Sequence, residues 1–478
     1  MTGSNSRPPV CLTLQIATNI ILSLINKLLY WRFRMGSLLR CVNLTFFAVA
    51  LLSVVTFSLL FLPCLSLGFL GDDFLDLEHD FTLSSFTRYE AGGFRPLMVA
   101  IWAFDSSLYG PQSAWGWHLT NILLHTFNIF LIILLLKQLG LQKWSILAGA
   151  AFFAISFSTV PSVCRVSIRT TIAALIPLLG AMNLHILWKR EGRRWYLYLG
   201  LILVLLSLLV KETAPTSPLV FASLSVFLIR EREREKHKTF LSDLLIYLIP
   251  VVLYGLWRLT AVGYTLGYAE SGSFGLFMVR NITSLTLLIF KPWLSGLSAR
   301  LAIITVAVLV WLLRDRDGLS ILGAVVMFSL LLTVSNLPPR PYYAYAGLPG
   351  AAIMFAALTR MVKRSDYRAL LILPPLLILG TYLEARDEVG RLSIASENTE
   401  GIIDRLIEVD SSLPGEDPLI LSGIKYEVAG YATLWPGAFR EALSTKGIDP
   451  DHSMFFIEHF WEAIYGTMGS NPDTRVYF

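Results

Sequence analysis

The fold of this chain is decided by a stretch that runs from residue 71 to residue 128. It reads GDDF at 71–74, FRPL at 94–97 and HLTNILLHTFN at 118–128. The first string follows a long apolar run, and the last string opens the next one. Adjacent carboxylates after one apolar segment, an arginine in the loop and polar residues entering the next segment predict a chemically active face at a membrane surface.

The composition is that of a polytopic membrane protein. Of the 478 residues, 55% are hydrophobic and 15% are charged, and the mean hydropathy is +0.61. Soluble domains carry about 25% charged residues, whereas several apolar runs here approach or exceed the roughly 20 residues that a helix needs to cross a bilayer. The net charge of +5 is modest and does not indicate nucleic-acid binding. Much of it lies in short loops, where it indicates topology.

We predict an α-helical fold with about eleven transmembrane helices. They lie near 41–67, 117–136, 144–160, 171–188, 195–210, 214–229, 240–260, 300–313, 319–334, 347–360 and 369–383. With these spans the basic loops all fall on one side, which the positive-inside rule makes cytoplasmic. These loops hold about half of the 39 lysines and arginines, and they lie at 32–40, 137–143, 189–194, 230–238, 314–316 and 360–368.

Residues 281–299 are apolar enough to be a further span. Counting them would move the basic loops at 314–316 and 360–368 to the outer side. We therefore predict that 261–299 is an extracytoplasmic excursion with a re-entrant or surface helix. Lys291 and Pro292 support this interpretation, because a charge is costly at membrane depth and proline interrupts a helix.

Two regions flank the predicted transmembrane domain, residues 35–383, whose first outer loop is 68–116. Residues 1–34 place most of their polar side chains on one helical face, which favours an interfacial amphipathic helix; a translation start at Met35 is the alternative. Residues 384–478 are less apolar and predict a small extracytoplasmic α/β domain. That domain would contain a helix over 393–410 and a short buried strand within 418–424.

The four cysteines give no indication of a metal site. Cys11, Cys41, Cys64 and Cys164 lack metal-ligand spacing, and we interpret all four as small apolar side chains. The first span, 41–67, is too long for the apolar core of a signal peptide and lacks a clear cleavage site, so we predict no cleavable leader.

Asp72 and Asp73 are the candidate catalytic residues. A carboxylate at a membrane surface can take the proton from an attacking hydroxyl; alternatively it can hold a metal. Side chains of adjacent residues on an extended chain point to opposite sides, so we expect one catalytic aspartate and one supporting aspartate. Three further acids at 76, 78 and 80 leave open a solvated loop that merely ends a membrane helix.

Four polar residues then follow within an apolar helix. His118, Asn121, His125 and Asn128 have spacings that place them on one stripe. Polar residues within a span usually face the protein interior or a water-filled cavity. His118 would lie near the outer surface and reach substrate, whereas Asn128 lies deeper and is structural. The alternative for all four is hydrogen bonding that packs the helices together.

Several cations map to the same outer side. They are Arg95, Arg165, Arg169, Lys211 and Arg340. Glu212 follows the lysine, and Tyr342 and Tyr345 follow the last arginine. Guanidinium groups pair bidentately with phosphate, although each cation could instead contact lipid headgroups. Because the basic loops lie on the other side, these cations predict an anionic ligand such as a lipid phosphate.

The order of these motifs resembles the GT-C superfamily of membrane glycosyltransferases. The strings GDDF, FRPL, WHLTNILLH (117–125), VKETA (210–214) and RPYYAYAG (340–347) carry the resemblance over roughly residues 40–383. It is closest to the branch with the protein O-mannosyltransferases and the membrane domain of TMTC-type O-mannosyltransferases. The latter continue into tetratricopeptide arrays, whereas no repeat of about 34 residues is visible here, so the sugar and the acceptor stay open.

The resemblance implies a polyprenyl- or dolichyl-phosphate sugar donor and inverting, direct displacement of the lipid phosphate. It implies an acidic catalytic residue in the first outer loop, which Asp72 or Asp73 matches, and outer arginines and a lysine that bind the donor phosphate. Candidates for contact with donor or substrate are Arg95, His118, Asn121, His125, Arg165, Arg169, Lys211, Glu212, Arg340, Tyr342 and Tyr345. We expect no required cofactor and no metal site, since no dense ligand cluster stands out, although a divalent metal is an alternative.

The expected partners are a polyprenyl-phosphate-linked sugar, membrane lipids and an extracytoplasmic acceptor, which is a protein, lipid or glycan. The expected location is a prokaryotic inner membrane, with the active site and C-terminal domain outside. A transporter or lipid-linked-sugar flippase is the main alternative, and a structural or assembly subunit is another. The charges at span edges and the absence of a visible internal repeat favour the transferase.

Overall fold

The structure is a computed structural model. It describes residues 57–77, 82–86, 94–229, 233–262, 276–290, 318–335, 337, 339–364 and 373–412, with short pieces at 419–422, 427–428, 431–432, 442, 454–457 and 476–477. The extension 1–34, most of the span predicted at 41–67 and the span predicted at 300–313 lie outside the described residues. Lys291 and Pro292 lie outside them as well.

Helices dominate the described part of the chain. They are α1 Pro96–Tyr109, α2 Ala114–Gln138, α3 Lys143–Ile155, α4 Thr159–Val163, α5 Arg169–Glu191, α6 Arg194–Val210, α7 Ser217–Leu228, α8 Glu233–Val262, α9 Leu276–Ile289, α10 Gly318–Leu332, α11 Pro341–Ala344, α12 Leu348–Arg364 and α13 Leu373–Ser412. Their ends follow local chemistry. Pro96 begins α1, where its missing N–H costs nothing, and Gly192 ends α5 in the left-handed conformation.

Three described helices are long and apolar enough to cross a membrane. They are Ala114–Gln138, Arg169–Glu191 and the segment His237–Ala261 of α8. Shorter apolar helices of 10–17 residues accompany them at Lys143–Ile155, Arg194–Val210, Ser217–Leu228, Met278–Ile289 and Gly318–Leu332. The predicted helical membrane fold is thus confirmed, whereas the number of eleven spans stays a prediction.

The helices pack around α5 at one side and around the α10–α12 pair at the other. Helix α5 lies against α2 and α6, and α12 lies against α3 and α10. The α10–α12 contact depends on glycine, because a Cβ at Gly350 would overlap the backbone of Met327 and Gly323. Small residues allow two membrane helices to approach closely and pack by van der Waals contact.

Two predicted boundaries differ from those in the structure. Helix α3 ends at Ile155 rather than at 160, and the chain resumes in α4 after a break at Ser156. Helix α9, Leu276–Ile289, lies within the predicted excursion 261–299. The helix predicted over 393–410 is present, but α13 runs without interruption from Leu373 to Ser412. The boundary predicted at 383/384 therefore falls inside a helix.

The C-terminal part contains short strands. They are β1 Leu419–Ser422, β2 Glu427–Val428, β3 Tyr431–Ala432, β4 Met454–Ile457 and β5 Val476–Tyr477. Strand β1 pairs in parallel with β4, Leu419 opposite Met454, and with β5, whereas β2 and β3 are antiparallel. A strand within 418–424 is thereby confirmed. A separate extracytoplasmic α/β domain stays a prediction.

The interpretation of all four cysteines as apolar packing residues is wrong for two of them. Cys64 and Cys164 form a disulfide, with their Cα atoms 5.5 Å apart. Both residues are fully buried. The two cysteines are separated by 100 positions, so no local spacing in the sequence predicts their pairing. Cys11 and Cys41 lie outside the described residues.

Candidate active site

Asp73 caps the N-terminus of the short 3-10 helix Gly71–Asp76, which we call the acidic turn. Its Oδ2 accepts a hydrogen bond from the Leu70 N–H at 3.1 Å, and its own N–H donates to the Leu70 carbonyl at 2.9 Å. Gly71 has φ = +50°, a left-handed conformation that glycine adopts without strain. The acidic turn is therefore an ordered element that begins directly after apolar residues.

The two adjacent aspartates have opposite surroundings. Asp73 is fully buried, and its Oδ1 accepts hydrogen bonds from the N–H and the hydroxyl of Ser167, each at 2.7 Å. Asp72 is exposed. A carboxylate that is buried and bonded through both oxygens holds two loops together, whereas an exposed carboxylate is accessible to a substrate hydroxyl.

His118 lies in the first turns of α2 and is fully buried. It interacts electrostatically with the Asp73 carboxylate. Neither ring nitrogen makes a hydrogen bond of good geometry to any residue that the structure describes. His118 is thus enclosed near Asp73, and its contact with substrate stays a prediction.

Arg169, a predicted phosphate-binding residue, is the centre of a buried polar network. Its guanidinium is fully buried and forms an ion pair with Asp105 of α1. The same guanidinium donates to the Trp117 carbonyl at 2.7 Å and to Asn121 Oδ1 at 2.5 Å. Because its donors are directed at these partners, Arg169 fastens α1, α2 and α5 together. Its contact with the donor phosphate stays a prediction.

Asn121 also has a structural environment. Its amide donates to the carbonyls of Val163 at 2.8 Å and Arg165 at 2.9 Å. With the bond from Arg169, its oxygen and its nitrogen are both engaged. This side chain therefore holds the loop between α4 and α5 against α2, and its contact with substrate stays a prediction.

His125, Asn128 and Tyr345 form a buried network deeper in the bundle. His125 Nε2 lies 3.1 Å from the Ala154 carbonyl, which can only accept, so Nε2 carries the proton. His125 Nδ1 then accepts from the Tyr345 hydroxyl at 2.9 Å. Asn128 donates to that hydroxyl at 3.2 Å. These bonds give Asn128 the structural environment that the sequence predicts. The substrate contacts of His125 and Tyr345 stay predictions.

A cationic cluster, Arg95, Lys211 and Arg258, surrounds Glu212. Arg95 Nε lies 3.1 Å from Glu212 Oε2, and Arg258 Nη1 lies 2.7 Å from Glu212 Oε1. Lys211 Nζ donates to the Thr171 hydroxyl at 2.5 Å. One carboxylate thus holds two arginines beside a lysine, and the cluster keeps an excess of positive charge.

Burial and neighbouring charges shift the pKa values at this cluster. Burial, and to a smaller extent the nearby Arg95, lower the pKa of Lys211 to about 7, while Glu212 acts in the opposite direction. Burial alone would raise the pKa of Glu212, but Arg95 and Arg258 hold it below the usual value. Glu212 is therefore an ionised carboxylate at neutral pH. The Lys211 ammonium group, in contrast, titrates near neutral pH.

The remaining predicted residues lie at the edges of this region. Arg165 follows α4 and is largely buried, and its Nε has no hydrogen-bond partner among the described residues. Arg340 is exposed, and Tyr342 is half-buried. Tyr343 is the member of this tyrosine group whose ring faces Lys211, with Nζ 5.4 Å from its centroid. Within the described ranges no group of three or more His, Cys, Asp or Glu side chains could hold a metal.

One hydrophobic cluster joins the acidic turn to the cationic cluster. It contains Phe69 and Phe74 around the acidic turn, Val166 beside Ser167 and Val210 beside Lys211. The other buried members are Leu77, Met98, Val99, Trp102, Trp117, Ala173, Ala174, Ile403 and Ala442. Residues close in sequence to Asp72, Asp73 and Lys211 thus belong to one apolar cluster.

The comparisons with known proteins concern the fold and part of the sequence. No family model matches the chain. The crystal structure of ArnT from Cupriavidus metallidurans in the apo state superposes with a TM-score of 0.51 over 89% of this chain and 88% of that chain, at 12% identity. The chain has an ArnT-like fold.

Two proteins of Drosophila melanogaster match part of the sequence. Protein O-mannosyl-transferase Tmtc2 is 36% identical over 143 residues, and Protein O-mannosyl-transferase Tmtc1 is 31% identical over 132 residues. These matches cover 28% and 27% of this chain and span 15% of the length of each relative. The resemblance to GT-C membrane glycosyltransferases is thereby confirmed.

Sequence reasoning missed several residues of this region. Arg258 was inside the apolar run 240–260, where a lone arginine near the end of a span is itself a signal of function. Asp105 was a lone acid in the apolar segment that became α1. Ser167 gave no signal, because only the tertiary fold brings its loop to the acidic turn.

Proposed function

We propose that this protein is a membrane glycosyltransferase that moves a sugar from a polyprenyl-phosphate donor to an acceptor hydroxyl. The observation that carries the proposal is the pairing of an exposed Asp72 with a buried, fully bonded Asp73 in an ArnT-like fold. The two relatives that are named O-mannosyl-transferases support sugar transfer and make mannose the first sugar to test.

In the proposed reaction the acceptor oxygen attacks the anomeric carbon and the bond to the lipid phosphate breaks. Asp72 takes the hydroxyl proton during the attack, and the lipid phosphate leaves as an anion with the electron pair of the broken bond. Direct displacement from the opposite face inverts the anomeric configuration. Asp73 supports the reaction by holding the acidic turn against Ser167, which keeps Asp72 on the exposed side.

The cationic cluster is the proposed site for the donor phosphate. Arg95, Lys211 and Arg258 supply charge that would stabilise the leaving phosphate. Glu212 was predicted to contact substrate, but a carboxylate repels a phosphate. Its contacts with both arginines give it a different role, which is to hold the two guanidinium groups in place before the donor arrives. Arg165 and Arg340 lie beside this region and are proposed to guide the donor or acceptor.

The proposed location is an inner membrane of a prokaryotic cell, with the acidic turn and the C-terminal part on the extracytoplasmic side. The support is the distribution of basic loops along the sequence and the exposed apolar side chains on α8. These include Leu241, Leu245, Ile249, Val252 and Leu256, and such a surface is suited to lipid contact.

The test is a transfer assay on the purified protein with a panel of radiolabelled polyprenyl-phosphate sugars and native membrane acceptors. We expect the label of one donor to leave the lipid in the wild type and to stay on it in the Asp72→Asn variant. Label that stays on every donor in folded wild-type protein would contradict the proposal. Counterflow of a lipid-linked sugar in proteoliposomes, without glycosylated product, would then favour the transporter or flippase.

A further inference from the structure

The Cys64–Cys164 disulfide joins the two chain segments that meet at Asp73. Cys64 lies in the 3-10 helix Leu62–Ser66, shortly before the acidic turn. Cys164 ends α4, shortly before Ser167, whose N–H and hydroxyl bind Asp73. The covalent bond and the Asp73–Ser167 hydrogen bonds therefore connect the same two segments at two successive points.

The segment around Cys164 is held from a further side. Asn121 donates to the carbonyls of Val163 and Arg165, the two neighbours of Cys164. The segment before the acidic turn is held by α13, where Ser396 Oγ accepts the Gly68 N–H at 2.7 Å. Both segments are thus fixed to the helical bundle, and the disulfide sets the spacing between them.

We propose that the Cys64–Cys164 disulfide is a positioning element of the active site, which fixes the spacing at which Ser167 can hold Asp73 and thereby orients Asp72. This inference rests on the proposed function for its catalytic consequence, but the effect on the Asp73 hydrogen bonds is independent of it. Without the cross-link, hydrogen bonds alone set the spacing between the two segments, and we expect a small change in that spacing to weaken the bonds between Ser167 and Asp73.

Formation of this bond requires an oxidising compartment. Two thiols lose two protons and two electrons as the S–S bond forms, and the disulfide of a thiol oxidoreductase accepts them by exchange and becomes two thiols. Such conditions exist outside the cytoplasm. Cys64 and Cys164 both lie at ends of predicted spans on the predicted outer side, so the pairing agrees with the topology drawn from the basic loops. Because both cysteines are fully buried, the bond resists reductants in the folded protein.

The first experiment does not depend on activity. Peptide mapping by mass spectrometry without reductant should recover the linked Cys64 and Cys164 peptides from purified wild type. Hydrogen exchange should then show protection of the Ser167 and Leu70 amides, which bond to Asp73. We expect Cys64→Ser/Cys164→Ser to lose this protection while peptides from α5 and α6 keep theirs. Unlinked peptides, or unchanged protection of both amides, would overturn the proposal.

The second experiment measures the catalytic consequence. We expect Cys64→Ser/Cys164→Ser to lower kcat by about ten- to a hundred-fold at nearly unchanged donor KM, because misplacement of a catalytic group slows the chemical step. The matched control, Cys11→Ser/Cys41→Ser, should keep the disulfide and the wild-type kcat. A Ser167→Ala variant keeps only the amide bond to Asp73. In this background the loss of the disulfide should lower kcat by a smaller factor than in the wild type, since both changes weaken the same contact.

The outcomes separate this inference from the proposed function. Exchange protection that depends on the disulfide, in a protein without transferase activity, would retain the positioning of Asp73 and overturn only the proposed reaction. Transfer with a kcat that does not change in the double cysteine variant would retain the reaction and overturn the positioning role. Multiplicative losses in the Ser167→Ala background would also overturn it, because they indicate two unrelated effects.

Discussion

At the scale of single residues, Asp72 and Asp73 share a sequence motif but not an environment. The 3-10 helix directs neighbouring side chains to different sides, so that Asp73 is buried against Ser167 while Asp72 is exposed. The sequence predicted that one aspartate supports the other. It did not tell them apart, because the choice depends on Ser167, which lies far away along the chain.

Asp73→Asn tests the supporting role. An asparagine can offer only one oxygen, so its NH₂ group would face either the Leu70 N–H or the Ser167 donors. We expect a loss of about 1–3 kcal/mol in the free energy of unfolding, because a buried donor is left unsatisfied. Denaturant unfolding in detergent would measure it. Asp72→Asn is the matched control and should unfold like the wild type; equal stability of both variants would contradict the assignment.

Lys211 predicts a pH dependence of donor binding. Burial lowers its pKa to about 7, so the ammonium group loses its proton as the pH rises through that value. Because the proposed phosphate contact requires the charged form, donor Kd should rise above pH 7, by at most about ten-fold per pH unit. Lys211→Arg keeps its charge at every pH used. The donor Kd of this variant should not change with pH. A donor Kd that rises with pH as steeply as in the wild type would refute the role of Lys211.

At the scale of elements, the Asp105–Arg169 ion pair joins α1 to α5 with both side chains fully buried. Asp105→Ala would leave a buried guanidinium without its counter-charge. We expect the free energy of unfolding to fall by about 3–5 kcal/mol, measured by denaturation in detergent. Asp105→Leu/Arg169→Met removes both charges and should regain much of that loss. An Asp105→Ala variant with wild-type stability would show that the pair does not fasten the helices.

Tyr345 links α2 to the chain that leads into α12. Tyr345→Phe removes the hydroxyl that contacts His125 and Asn128, and it leaves the ring in place. We expect stability to fall by about 1–3 kcal/mol, because two buried polar groups lose a partner. Donor KM should not change, since this network is structural. A selective rise in donor KM would instead restore the predicted substrate contact of Tyr345.

The helices themselves were largely predictable. Polar residues at 118, 121, 125 and 128 indicated one buried stripe, and α2 buries all four. What they bind could not be predicted, because the partners are carbonyls at 154, 163, 165 and 172 and a hydroxyl at 345. A helix pattern specifies which face is buried. It does not specify which distant backbone oxygen meets that face.

At the scale of the whole molecule, the described chain combines an ArnT-like fold with a proposed active site assembled from segments that are distant in sequence. The acidic turn, the loop before α5 and the end of α6 meet around one hydrophobic cluster, and α13 contributes Ile403 to it. Helix α13 also continues toward the C-terminal strands. The region predicted as a separate C-terminal domain is thus connected to the acidic turn through one uninterrupted helix.

The most direct test of the central claim is the single-turnover rate of sugar transfer from a radiolabelled polyprenyl-phosphate donor, measured together with donor Kd in the wild type and in Asp72→Asn. The account predicts a rate loss of about 10²–10⁴-fold, the usual contribution of a general base, with donor Kd unchanged. A variant that transfers sugar at the wild-type rate would contradict the assignment of Asp72 as the base.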